Sequence, residues 1–150
     1  MEVNEIVEAV MDCAFDVHRG IGPGLFEAAY KKCLCHDLEA RGLRIEPESV
    51  VPLIYRGKVI GPGYRMDVLV ERKVVVEVKA VARLLPIHTA QILTYMRLGE
   101  FPAGLLLNFD TALLKDGVKR LVWNYDGPRP SPRKRPRSEP GPAANATSFD

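Results

Sequence analysis

In the stretch Met66–Ala80, MDVLVERKVVVEVKA, two aliphatic runs are interrupted by Asp67, Glu77 and Lys79. Charge in a half-buried sheet costs free energy unless something compensates it. Glu71, Arg72 and Lys73 read as the loop of an antiparallel hairpin. Side chains alternate faces along a strand, which puts Met66, Val68 and Val70 on one side and Arg65, Asp67 and Leu69 on the other. In the next strand Val74, Val76 and Val78 oppose Val75, Glu77 and Lys79. Matching the aliphatic faces across a three-residue loop sets Val70 opposite Val74 and Asp67 opposite Glu77. Opposed residues have Cβ atoms about 5 Å apart, where like charges destabilise the pair. A divalent cation converts that repulsion into a binding site, because hard carboxylate oxygens suit Mg²⁺ or Mn²⁺. Lys79 shares the face of Glu77, and an ammonium there can orient a water or stabilise charge on a phosphate. A plainer reading makes all three ordinary charges of a solvated face, with Lys79 neutralising Glu77. The pattern D-x9-E-x-K is short enough to be met by chance.

The remaining elements must hold this hairpin. Asn4 is placed to cap a first helix whose apolar stripe runs Ile6, Ala9, Val10, Cys13 and Val17. Arg19–Gly24, RGIGPG, breaks it. A second helix is expected from about Leu25 to Arg41, with Gly42 as its stop. Ser49–Tyr55 reads as a strand near a sheet edge because of Pro52. Gly61–Gly63, GPG, should break the chain again. A helix over about Ile87–Leu98 follows Pro86, then a buried strand Ala103–Phe109 and an amphipathic strand Val118–Tyr125. The order α, α, several β, α, β, β predicts an α/β fold with a mixed sheet flanked by helices.

At 150 residues, 47% hydrophobic and 27% charged, the chain suits one domain with a substantial core. No apolar run approaches the roughly 20 residues that span a bilayer, and the acidic start (Glu2, Glu5, Glu8) does not resemble a secretory signal. A cytoplasmic protein is the expectation. Cys13, Cys33 and Cys35 are an odd set without C-x-x-C, read as reduced bystanders rather than a disulfide framework. Cys33, Cys35 and His36 lack a fourth metal ligand at suitable spacing. Gly127 onwards is rich in Pro, Gly, Ser and Arg and is expected to be a disordered tail, residues 127–150, after a domain of residues 1–126. Its basic residues, Arg129, Arg133, Lys134, Arg135 and Arg137, outweigh Glu139 and Asp150, which leaves the rest of the chain near neutral although the net charge is +2. Such a run attracts phosphate or simply keeps the protein soluble.

Several blocks occur in a telling order: Gly22–Tyr30 (GPGLFEAAY, with Gly24, Glu27 and Tyr30 as G-x-x-E-x-x-Y), then GYRMDVLV, VVVEVKA, IHTAQILTY and GLLLNF. Together, over about residues 5–125, they closely resemble the small bacterial and archaeal GxxExxY proteins, a branch of the PD-(D/E)XK nuclease-like superfamily. The resemblance implies a restriction-endonuclease-like core. It implies Asp67 as the first acid, Glu77 and Lys79 as the E-x-K, Glu27 as the acid of an early helix, and Gln91 and Tyr95 as the Q-x-x-x-Y element. Met66 stands where the family usually has Pro, and the four cysteines that hold an iron–sulfur cluster in some relatives are absent.

These residues have plainer readings too. Glu27 and Lys31 form an i,i+4 pair suited to a helix-surface salt bridge. Tyr30 lies on the inward stripe and reads as core. Gln91 and Tyr95 share a helical face with His88, and His18 and Arg19 could meet phosphate or cap a helix end. The function expected is metal-dependent phosphodiester hydrolysis, with Mg²⁺ or Mn²⁺ held by Asp67, Glu77 and the Val78 carbonyl. The substrate expected is nucleic acid, DNA rather than RNA, with a homodimer as a candidate assembly and no membrane partner. The alternatives are a catalytically silent module of the same fold that binds nucleic acid or protein, and a structural component of a toxin or defence assembly.

Overall fold

The computed structural model describes residues 1–123 and the backbone of 147–149. Helices α1 (Val3–Ile21) and α2 (Glu27–Ala40) precede three strands, β1 (Ile45–Tyr55), β2 (Lys58–Val70) and β3 (Val74–Lys79). Helix α3 (Pro86–Gly99) then leads to β4 (Ala103–Asn108), a 3-10 turn at Leu114–Gly117, β5 (Val118–Val122) and β6 (Thr147–Phe149). The strands form one mixed sheet in the order β1-β2-β3-β4-β5-β6. Among the described strands only β3 and β4 run parallel, as a crossover through α3 requires. This is the α/β architecture the sequence implies.

Apolar periodicity sorts the layers. Helices α1 and α2 cover one face, burying Ile6, Val10 and Leu34 against Val68, Val76, Leu105 and Phe109. Helix α3 covers the other through Ile92 and Met96, against Leu69 and Val75. Gly104 lets α3 come close: a Cβ there would lie 2.7 Å from Met96 Sδ and 3.1 Å from Ile92 Cδ1.

The α1–α2 connection is fixed from within. Tyr30 is fully buried; its hydroxyl donates to the Gly22 carbonyl at 2.6 Å and accepts from the Leu25 N–H at 3.0 Å. Its ring stacks on Phe109, with centroids 4.7 Å apart and planes 10° apart. Gly24, at φ 105°, takes the left-handed geometry this loop needs. The spacing from Gly24 to Tyr30 therefore has a mechanical meaning: a core residue ties down the loop from which α2 starts. Tyr30→Phe is expected to lower stability by about 1 kcal/mol, measured by equilibrium denaturation, since the Gly22 carbonyl and the Leu25 N–H lose the hydroxyl that ties them to the core.

Several local expectations differ from the structure. Asn4 lies inside α1, and its side chain accepts from Arg120 instead of capping. GPG does not break β2, because register shifts between Val51 and Pro52 and between Leu53 and Ile54 absorb the prolines of this edge ribbon. Met66 packs with Leu69 and Val75, not with Val68 and Val70. Simple alternation thus fails at Asp67, beside Glu48 of β1, which has φ 54°. Within the segment expected to be disordered, Thr147–Phe149 forms β6 on the open edge of β5, where unpaired backbone groups invite a further strand. Residues 124–146 and Asp150 lie outside the described residues. Among the described residues no helix is long and apolar enough to cross a membrane.

Candidate active site

The β2–β3 hairpin has the register that its valines dictate: Val70 pairs with Val74 and Val68 with Val76. Glu71 and Arg72 adopt positive φ in the loop, and Arg72 holds Glu46 of β1 through hydrogen bonds of 2.7 and 2.8 Å. Beyond Val68 and Val76 the backbone ladder stops, and side chains take its place. The Asp67 N–H donates to Glu77 Oε1 at 3.1 Å, while Asp67 Oδ2 accepts from the Val78 N–H at 2.9 Å. The two acids therefore meet at the point where the strands part.

Their environments differ. Glu77 is buried and Asp67 half-buried. Burial, reinforced by the charge of Asp67, pushes the Glu77 carboxyl up to about 8. Lys79, two residues on, opposes that shift, which places its ammonium within electrostatic reach of the acids. Lys79 has no salt bridge of its own among the described residues. Tyr95 of α3 is also at the site: its hydroxyl is held above the usual range by burial and then by the charges of Glu77 and Asp67. Its ring lies 5.3 Å from that of Tyr64 on β2.

Glu27 is the first residue of α2 and is exposed. With Phe26, Ala28, Lys31 and Asp67 it lines an open cavity of about 430 Å³. Lys31 does not form the expected pair with Glu27; its ammonium binds Glu48 and lies 3.8 Å from Asp67 Oδ1. Gln91 is exposed one turn before Tyr95 and makes no hydrogen bond among the described residues. His88 caps α3, its Nδ1 accepting the Leu85 N–H at 3.0 Å. His18 is buried and bonded to the Thr111 carbonyl at 2.8 Å, while exposed Arg19 pairs with Asp16 at 2.7 Å.

Two contributors are not visible in the sequence pattern of the site. Lys31 gives Asp67 a resident counter-charge, which emerges only once α2 is laid across the sheet. Asn108, paired across the sheet with Lys79, is almost fully buried. Its Nδ2 donates to the Val81 carbonyl at 2.9 Å, and its Oδ1 accepts the N–H groups of Val81 and Asp110 at 3.1 and 3.2 Å. It clamps the chain that leaves Lys79. A lone Asn ending an apolar strand was the available signal, because buried polar groups need partners. Asn108→Ala is expected to cost about 2–3 kcal/mol in thermal unfolding, through backbone groups left unsatisfied.

The donor set suits a hard divalent cation. Two carboxylates converge from adjacent strands, and Glu77 Oε2 has no hydrogen bond among the described residues. Burial first, and the neighbouring Asp67 charge second, hold the Glu77 carboxyl up, so its ionised form would gain from a nearby cation. Among the described residues no group of three or more His, Cys, Asp and Glu is placed to hold a metal ion, so the remaining positions would fall to backbone oxygen and water, as Mg²⁺ tolerates.

A mixed sheet between helices, with an acid, a second acid and a lysine where two strands part, defines a nuclease-type scaffold. The chain belongs to the PD-(D/E)XK nuclease superfamily, whose family model matches residues 4–121. Members are generally hydrolytic nucleases and usually use divalent metals. The comparison with curated proteins gives no match, and neither does that with solved structures.

Proposed function

We propose that this protein is a Mg²⁺- or Mn²⁺-dependent nuclease of the GxxExxY type that hydrolyses phosphodiester bonds in DNA. The observation that carries the reading is the reciprocal Asp67–Glu77 arrangement at the parting of β2 and β3, with Lys79 next along β3. Asp67, Glu77 and the Val78 carbonyl would hold the cation, and Glu27 would reach it through water. A cation bound there polarises the scissile phosphate and lowers the pKa of a bound water.

The protein's own groups do the rest. Lys79 orients the attacking water and stabilises charge gathering on the phosphate. Asn108 keeps the Lys79 backbone in place through Val81. Tyr95, with Gln91 a turn earlier on α3, orients the lysine or the nucleic-acid backbone.

Calorimetric titration with Mn²⁺ tests the site without requiring a substrate. Wild-type protein is expected to bind Mn²⁺, Asp67→Asn to lose at least tenfold in affinity, and only the wild type to nick DNA. One observation favours the second reading, a silent module of the same fold: Lys31 already lies 3.8 Å from Asp67, where it partly does a cation's work. Wild-type protein that binds DNA but shows no Mn²⁺ heat and no cleavage would establish that reading instead.

A further inference from the structure

Register alone fixes which groups gather at one end of the sheet. Strand β2 runs antiparallel to β3 and β3 parallel to β4. Leaving Asp67 towards Lys58 therefore follows the direction in which β3 ends at Lys79 and β4 at Asn108. Strand β5 returns from that same end, with Val118 paired to Leu107, so the 3-10 turn before it lies there too.

Two features flank the acids at this end. The first is a β1–β2 ribbon. Strand β3 pairs with β2 only from Val68 to Val70, whereas β1 pairs with it as far as Lys58. At roughly 3.3 Å per residue, the stretch from Asp67 to Lys58 can carry the ribbon's tip some 25–30 Å beyond the acids. The tip is unusually apolar: Ile54, Tyr55, Val59 and Ile60 are 48, 58, 67 and 60% exposed. From Ser49 to Arg65 its charged residues, Arg56, Lys58 and Arg65, are all basic, and the Arg56 guanidinium lies over the Tyr55 ring. The second feature is a cavity of about 490 Å³ whose lining includes Asn108, Arg83, Lys115 and Lys119, with Asp116 the one acid there among the described residues.

Among the described residues none of Arg56, Lys58, Arg83, Lys115 or Lys119 has a salt bridge, whereas Arg19, Arg41, Arg44 and Arg72 elsewhere are each matched by an acid. The folded part is near neutral, and Lys32 on α2, Lys73 in the β2–β3 loop and Arg97 at the end of α3 are likewise without a salt bridge among the described residues. Yet five such cations, Arg56, Lys58, Arg83, Lys115 and Lys119, flank Asp67, Glu77 and Lys79.

We infer that this end of the sheet is a saddle for double-stranded nucleic acid, with the β1–β2 ribbon entering a groove and the Arg83–Lys115–Lys119 cavity taking backbone phosphate. The inference rests on the nuclease reading and names its substrate as duplex. A two-stranded ribbon fits the major groove, about 12 Å wide, and apolar side chains read thymine methyl groups there. Like charge on the tip disfavours a second copy of the same ribbon as its cover.

Fluorescence anisotropy of the full chain with a labelled duplex and the matching single strand, in chelator so that nothing is cut, tests the inference across a salt series. Arg56→Gln/Lys58→Gln and Arg83→Gln/Lys115→Gln/Lys119→Gln are expected to weaken duplex binding about tenfold or more. They should also flatten the log–log salt slope by about 0.9 for each phosphate that is no longer neutralised. Ile54→Ser/Ile60→Ser should weaken duplex more than single-strand binding. Wild-type affinity and slope in both charge variants would overturn the saddle while leaving the nuclease reading intact. Equal losses on duplex and single strand would overturn the groove assignment. A wild-type dimer in sedimentation that Ile54→Ser/Ile60→Ser dissociates would overturn it too, because the tip would then cover a second copy. Wild-type protein that binds neither strand form would remove the nuclease reading and the saddle with it.

Discussion

Lys79→Ala is expected to slow phosphodiester cleavage by about 100- to 1,000-fold, the usual cost of removing one group that stabilises transition-state charge. Its melting temperature should stay within a degree or two of wild type. Lys79 is half-buried and has no salt bridge among the described residues, so its loss breaks no ion pair and removes only its longer-range attraction for Glu77. The backbone bonds around it survive truncation: the Phe109 N–H donates to the Lys79 carbonyl at 2.9 Å, and Asn108 holds Val81. Mn²⁺ affinity should rise slightly, since a neighbouring positive charge is gone. A nicking assay with calorimetry on the same preparation checks all three. Cleavage at the wild-type rate would remove Lys79 from the mechanism.

Glu77→Gln should produce opposite effects on stability and on metal binding. Burial and Asp67 push the Glu77 carboxyl up to about 8 from 4.5. Between those limits the folded chain keeps a proton that the unfolded chain has released, so the stability of cation-free protein falls as pH rises through that window. Glutamine never ionises and can still accept the Asp67 N–H. The variant should lose this pH dependence and be more stable than wild type at pH 8 by an amount on the order of 1–3 kcal/mol. It should also lose Mn²⁺ binding, whereas wild-type affinity should climb about tenfold per pH unit below about 8, as the cation displaces one proton. Denaturation curves at pH 6 and pH 8 with and without Mn²⁺ measure both. A wild-type protein whose cation-free stability rises from pH 6 to pH 8, with no such dependence of Mn²⁺ binding, would refute the assignment.

The hairpin was readable because its constraints are local. Val70 and Val74 bracket a short loop, and a slip of one residue would bury Glu77 among the valines of the α1–α2 face. That was enough to place Asp67 beside Glu77. Tyr30 was readable as core from its stripe. What was hidden depends on distant chain. Lys31 meets Asp67 and Glu48 across the sheet rather than Glu27 along its own helix, and Asn108 acts on Val81, far away in sequence. The continuity of β2 through Gly61–Gly63 depends on pairing with β1, which outweighs the local preference of Gly and Pro to break a strand. Met66 joins Leu69 and Val75 rather than Val68 and Val70, next to the point where β3 leaves β2 after Val68, and no local pattern marks that.

The distance separating Glu27 from Lys79 is gauged by two aromatic plates. Phe109 hangs on the Lys79 carbonyl and lies flat against Tyr30, which tethers the loop feeding Glu27. The opening between helix and strand is thus calibrated in the dry interior, where salt and surface charge have little leverage. A change in ring thickness at Phe109 would misalign the two from beneath without touching either.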